Sequence, residues 1–108
     1  MKIVNLTSHL ITILDQNNNT VETIHPCGEV ARVEYEAKIV DHLGAIPVST
    51  TNYKVSGLPK RRKNTIYIVS RKVFEACIAM NREDCYYPNQ VVRDRAGNKI
   101  GCRSLGYK

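Results

Sequence analysis

The sequence predicts an α+β fold that is mostly β, a compact antiparallel sheet or small barrel with one short helix packed on it. Three observations carry that expectation. From Glu29 to Val40, Ala31, Val33, Tyr35, Ala37 and Ile39 alternate with Arg32, Glu34, Glu36 and Lys38, the period of a strand buried on one face. Val73, Phe74, Cys77 and Ile78 form the one apolar stripe at helical spacing, over residues 71 to 80. Polar, turn-forming clusters at Asp15 to Asn19 and Arg95 to Asn98 punctuate short apolar runs, as hairpins require.

Taken in order, residues 2 to 6 and 10 to 15 are short Ile/Val/Leu-rich strands, and the Asp15 to Asn19 turn leads into a third strand at Thr20 to His25. Pro26-Cys27-Gly28 breaks the chain before the alternating strand. Leu43-Gly44 turns it into Ala45 to Thr51, where Pro47 argues for an edge or a bulge, and Asn52 to Val55 continues or pairs with that strand. Gly57-Leu58-Pro59 and the like-charged Lys60, Arg61, Arg62 and Lys63 make an exposed loop. Thr65 to Val69 is apolar, β-branched and short, hence a buried strand; Ser70 is the N-cap of the helix, and Arg82-Glu83-Asp84 leaves it. Tyr86 to Asn89 reads as irregular. Gln90 to Asp94 and Lys99 to Ser104 then form a hairpin in which Gly97 takes a positive φ.

At 108 residues the chain has the size of a single domain, 1–108, with one modest core. Its net charge of +6 is unevenly spread. Residues 1 to 53 hold Lys2, Arg32 and Lys38 against six acidic groups, so the basic excess belongs to the second half and favours anionic partners. Cys27, Cys77, Cys85 and Cys102 include no CxxC pair, and the opening residues lack the charged and apolar regions of a secretory leader, so a reduced, cytoplasmic setting is expected. The longest apolar stretch is far short of the ~18 residues of a membrane span, so no membrane partner is expected. No zinc spacing, GxSxG, HExxH or P-loop occurs, which makes a binding protein a better expectation than an enzyme; no metal or cofactor is called for.

Two places invite ligand chemistry. Asn5, Thr7, Ser8 and His9 interrupt the first apolar run with four hydrogen-bonding side chains, which suit either a turn or contacts to a base or ribose edge. Arg71 and Lys72 occupy the first turn of the helix, where the macrodipole favours negative charge; a bound anion would accept the free N–H groups and pair with both side chains. The Lys60 to Lys63 run could also meet a nucleic acid or acidic protein. With six tyrosines, one phenylalanine and no tryptophan in the chain, and only Tyr53 and Tyr67 near the run, it lacks the interleaved aromatics of a single-strand platform.

The segments IVNLTSH, HPCGEVARV, GAIPV, GLP, TIYIVS and PNQVVRDRAGNKIGCRSL, in this order along nearly the whole chain, resemble a family of small phage and prophage proteins that open on a VNLTPH-like segment, carry PSGxxAR and close on VRDxxGxIIGC. Ser8 stands where that family has proline and Cys27 where it has serine, and the Lys60 to Lys63 run replaces more acidic residues. The resemblance implies a phage protein acting in the cytoplasm of an infected bacterium, and by analogy of context an oligomeric sponge for a nucleotide signal of host defence. The expected function is therefore non-enzymatic sequestration of an anionic, nucleotide-derived molecule of cyclic-nucleotide or ADP-ribose type by a homo-oligomer. The residues expected to hold it are Asn5, Thr7, His9, Arg32, Tyr67, Ser70, Arg71, Lys72, Arg93 and Arg103. A protein-binding inhibitor acting through the basic half, and a small nucleotide hydrolase, stand as alternatives.

Overall fold

The computed structural model describes residues 1–108. Strands β1 (Lys2–Asn5), β2 (Ile11–Leu14), β3 (Thr20–Ile24), β4 (Arg32–Leu43), β5 (Ile46–Ser56) and β6 (Thr65–Ile68) precede helix α1 (Arg71–Ala79), and β7 (Cys85–Arg93) and β8 (Lys99–Gly106) follow it. The chain is mostly β with one short helix, as its patterning predicts. Six strands form one sheet in the order β1-β6-β7-β8-β2-β3, and β4 with β5 forms a separate two-stranded ladder.

The sheet is mixed. β7 with β8 and β2 with β3 are antiparallel, whereas β1 with β6, β6 with β7 and β2 with β8 run parallel. Apolar patterning marks a strand without naming its partner, but β6 carries the signature of a parallel strand buried on both faces. Tyr67 and Val69 join Val73, Phe74, Cys77 and Cys85 under the helix, while Ile68 meets Ile11 and Cys102 on the other side. β6, α1 and β7 are thus one strand–helix–strand crossover. That Ile68 reaches β2, three places away in the sheet, shows that the sheet curls. Its outer strands meet: Asn5 at the end of β1 bridges Pro26, just past β3, and the Cys27 N–H donates to the Asn5 carbonyl at 3.0 Å. The antiparallel pairs expected from the sequence are present, and the three parallel pairs, which local patterning does not specify, make the sheet a curled mixed one.

The two polar turns share one geometry. Asp15 Oδ1 accepts the N–H groups of Asn17 and Asn19, and Asp94 Oδ1 accepts that of Asn98, each at 2.9 Å. Tyr86 to Asn89, expected to be irregular, instead belongs to β7. Tyr87 is the reason: its ring is buried against Phe74 with centroids 4.6 Å apart, and it lies over Gly106, where an added Cβ would come within 2.2 Å of the ring. Residues 46 to 56 form one strand, with Pro47 on an edge near the bulge between Ile39 and Asp41. No helix is long and apolar enough to cross a membrane.

At its C-terminal end α1 is followed by Asn81 at φ 59, and Arg82 turns back to the body. The Arg82 Nε and Nη2 atoms each donate at 2.9 Å to the two oxygens of Asp84, and Nη2 also donates to the Pro59 carbonyl at 2.9 Å. This fork fastens the 57–63 loop to the helix exit. Burial pushes the Asp84 carboxyl up, but the hydrogen bonds and charge of Arg82 outweigh it and hold the group below the usual carboxylate range. Beside it, the hydrogen bond with Cys77 and burial both push the Cys85 thiol up.

Candidate functional site

The polar interruption after β1 is built around Asn5, whose side chain is fully buried. Its Nδ2 donates to the carbonyls of His9 at 2.8 Å and Ile24 at 3.0 Å, and its Oδ1 accepts the Thr7 N–H at 2.9 Å and hydroxyl at 2.6 Å. Every polar atom of the Asn5 side chain is spent on the fold, so the residue shapes the loop, with Thr7 half-buried and Ser8 and His9 exposed at its crest. The Ala31 N–H donates to the Leu6 carbonyl at 2.9 Å and the Leu6 N–H to that of Ile68 at 2.8 Å, which places the crest beside the start of α1.

Ser70 caps that helix: its Oγ accepts the Val73 N–H at 3.3 Å. Replacing Ser70 by alanine is expected to lower stability by ~1 kcal/mol in urea unfolding, the usual cost of a lost N-cap. No acidic residue occupies the first turn. Arg71 is held with its guanidinium 5.0 Å from the centroid of the Tyr87 ring, and an exposed contact to Glu75 at 3.6 Å leaves most of its donors in solvent.

The crest of the 5–9 loop divides two hollows. The larger, of about 800 Å³, runs along β7 and β8; Thr7, His9, Ser70 and Arg71 meet Asn89, Gln90 and Lys99 there, over an apolar floor that includes Ile11, Val91 and Ile100. The smaller, of about 430 Å³, brings Arg32, Tyr35 and Lys72 to the opposite side of the same Thr7, His9 and Ser70. Adjacent positions on a helix diverge, so Arg71 serves one hollow and Lys72 the other.

The larger groove has a cation at each end. Arg71 sits over Tyr87, and Lys99 is the register partner of Arg93, six residues further along β7, so the two ends lie roughly 20 Å apart at ~3.3 Å per residue. Arg93 and Lys99 are like charges directly opposite each other, an unfavourable arrangement that an anion would relieve. Arg93 itself donates to the Gly97 carbonyl at 2.9 Å in the turn. Between the ends, Asn89 Oδ1 accepts the Gln90 N–H and Gln90 Oε1 accepts the Ser104 hydroxyl, which leaves both amide NH₂ groups as donors.

The structure therefore gathers Thr7, His9, Arg32, Ser70, Arg71 and Lys72 around one crest, with Arg93 beside the far end of the larger groove. It places three expected residues elsewhere in role or position. Asn5 is internal to the loop; Tyr67 is buried in the core with its hydroxyl donating to the Lys60 carbonyl at 3.3 Å; Arg103 donates to the Asp15 carbonyl in the β2–β3 turn. Lys60, Arg61, Arg62 and Lys63 are exposed, but they precede β6, whereas the crest adjoins its far end, so run and groove are distinct surfaces. No local sequence signal marks Asn89, Gln90 and Lys99, because only the order of the strands places them opposite the helix start. No set of three His, Cys, Asp or Glu side chains converges.

No protein-family model, no curated protein and no solved structure matches this chain.

Proposed function

We propose that this protein captures an anionic, nucleotide-derived small molecule in the groove between the 5–9 loop, the start of α1 and the β7–β8 hairpin, and releases it unchanged. One observation carries the reading: a helix start with basic rather than acidic residues opens into the same groove as Lys99 and the unspent amide donors of Asn89 and Gln90. Arg71, the opening N–H groups of α1 and Lys99 hold phosphate oxygens. Asn89 and Gln90 offer hydrogen bonds to a base or ribose edge, with His9 at the rim, and the apolar floor takes a base face. The resemblance to phage proteins supports a biological setting for such capture, the withdrawal of a cyclic-nucleotide or ADP-ribose-type signal from host defence in the bacterial cytoplasm.

Replacing Arg71 by glutamate is the sharpest test of the groove. A charge-assisted hydrogen bond contributes ~1.5–3 kcal/mol, so affinity for the best ligand in a panel of cyclic dinucleotides and ADP-ribose derivatives should fall at least about tenfold by calorimetry. An acidic residue in the first turn suits the helix dipole, so weakened binding would not reflect a weakened helix. Unchanged affinity would remove the helix start from the site.

A second reading rests on the exposed Lys60 to Lys63 run, an inhibitor that grips an acidic protein or nucleic-acid complex at the other end of β6. It predicts a co-purifying complex that dissociates as salt rises and no shift in melting temperature with small anions.

A further inference from the structure

The β4–β5 hairpin is an arm with one unpartnered face. Directly opposed residues of an antiparallel ladder share a face, and the pairs Val33 with Val55, Tyr35 with Tyr53, Ala37 with Thr51 and Ile39 with Ser49 make one side of it. Glu34 with Lys54, Glu36 with Asn52 and Lys38 with Thr50 make the other. The first side begins in the main core, against which Val33 and Val55 pack. It continues outward beyond the body with Tyr35 50%, Tyr53 55% and Ile39 58% exposed. A two-stranded ladder is marginal alone in water, and this one presents core chemistry to solvent.

The chain as a whole exposes more surface than a compact monomer of its mass, enough to supply one side of a standard interface. A folded monomer of 12.2 kDa has an accessible surface of about 6,100 Å². This chain exposes 7773 Å², an excess of about 1,700 Å² against the ~800 Å² that each side of a standard interface buries. Its radius of gyration is 17.1 Å, where ~13 Å is usual for its length.

Charge selects the partner. Arg32, Lys38 and Lys54 balance Glu34, Glu36 and Asp41, so residues 32 to 56 are neutral and the whole net charge of +6 resides outside the arm. The basic second half of one copy repels that of another, whereas the arms carry no net charge and can meet. The apolar face carries no cation for nucleic acid, and its profile is self-complementary. Large Tyr35 and Tyr53, small Ala37 and Thr51, then Ile39 follow one another, so a two-fold axis through the Ala37 row sets the aromatics of one arm over the aliphatic end of the other.

We infer that the Tyr35/Tyr53/Ile39 face of the β4–β5 arm docks on the same face of a second copy of this chain. The pairing stands independently of what the groove binds. Sedimentation of the wild-type protein should give twice the 12.2 kDa chain mass, and Ile39→Glu with Tyr53→Glu should raise the dimer dissociation constant more than about tenfold, with an unchanged circular dichroism spectrum.

A second measurement holds even if that variant folds poorly. In a Cys27→Ser background, where the remaining cysteines are buried, an Ala37→Cys variant should be joined between copies by a bismaleimide of ~10 Å reach, the spacing of packed sheets, and a Lys38→Cys variant on the polar face should not. A wild-type protein that stays monomeric at about 100 μM, a folded double variant that stays dimeric, or equal cross-linking at both positions would each overturn the inference.

Discussion

Alanine in place of Asn5 is expected to lower stability by about 3 kcal/mol, read as a fall of roughly 12–20 °C in the melting temperature of a chain this size. The side chain fills no large volume, so the loss is one of hydrogen bonding. Without it, the carbonyl of Ile24 and the N–H of Thr7, both on half-buried residues, lose partners, and the His9 carbonyl keeps only the 3.1 Å contact from Thr7. The position magnifies the effect. Asn5 lies where β1 meets the segment after β3, and its amide reaches the last residue of β3, so the variant loosens the seam of the curled sheet as well as the loop that rims the groove. Asparagine to aspartate should be almost as damaging, because Asp keeps the Thr7 bonds and faces two carbonyls with an acceptor. A Thr7→Ala variant, which removes a partly exposed hydroxyl, should cost well under half as much in the same denaturation series.

Breaking the Arg82–Asp84 fork is the second large expectation. The Arg82 side chain is 15% exposed and that of Asp84 is 9%, so the pair is mostly desolvated, and removing one partner strands the other. Arg82→Ala should cost roughly 3 kcal/mol, a large share of the 5–15 kcal/mol that holds a domain of this size, and should also free the loop tied through Pro59. The pH dependence has a definite sign. The folded Asp84 carboxyl is held below its unfolded value, so its contribution is fully present above about pH 4 and disappears as the pH falls through the folded value. Urea midpoints measured from pH 6 down to pH 2 should therefore fall steeply for the wild type. An Asp84→Asn variant should begin lower and change less over the same range. Parallel curves for the two proteins would show that the acid sensitivity arises elsewhere.

Much of this architecture was legible in the residues. The alternating run from Ala31 to Ile39, the stripe of Val73, Phe74, Cys77 and Ile78, and the turn clusters at 15–19 and 95–98 each specify an element through local chemistry alone, and each forms. What local chemistry does not specify is which strands become neighbours. β6 pairs in parallel with both β1 and β7, across sequence separations that no turn signal spans, and the curl that joins Asn5 to Pro26 depends on all six strands together.

The same limit governs the groove. The basic start of α1 stands out because it runs against the helix dipole, and the polar run after β1 stands out because it interrupts an apolar one. That the two adjoin, and that Lys99 and Asn89 complete the groove, follows only from strand order. Asn5 and Thr7 look alike in the sequence, yet full burial commits the first to the fold while the second, half-buried, reaches the rim. Tyr35 and Ile39 carry the opposite lesson: their spacing marks a face to be buried, and within one chain nothing covers it.

Capture without turnover is tested most directly by incubating the protein with a bound cyclic dinucleotide or ADP-ribose derivative at near-equimolar concentration, removing free ligand, denaturing the protein by heat and identifying what is released. Recovery of the added molecule intact, with recovery reduced at least about tenfold for Arg71→Glu under limiting concentrations, is the expected result. Release of a hydrolysed product, or no retention by the wild-type protein of any member of the panel, would contradict it.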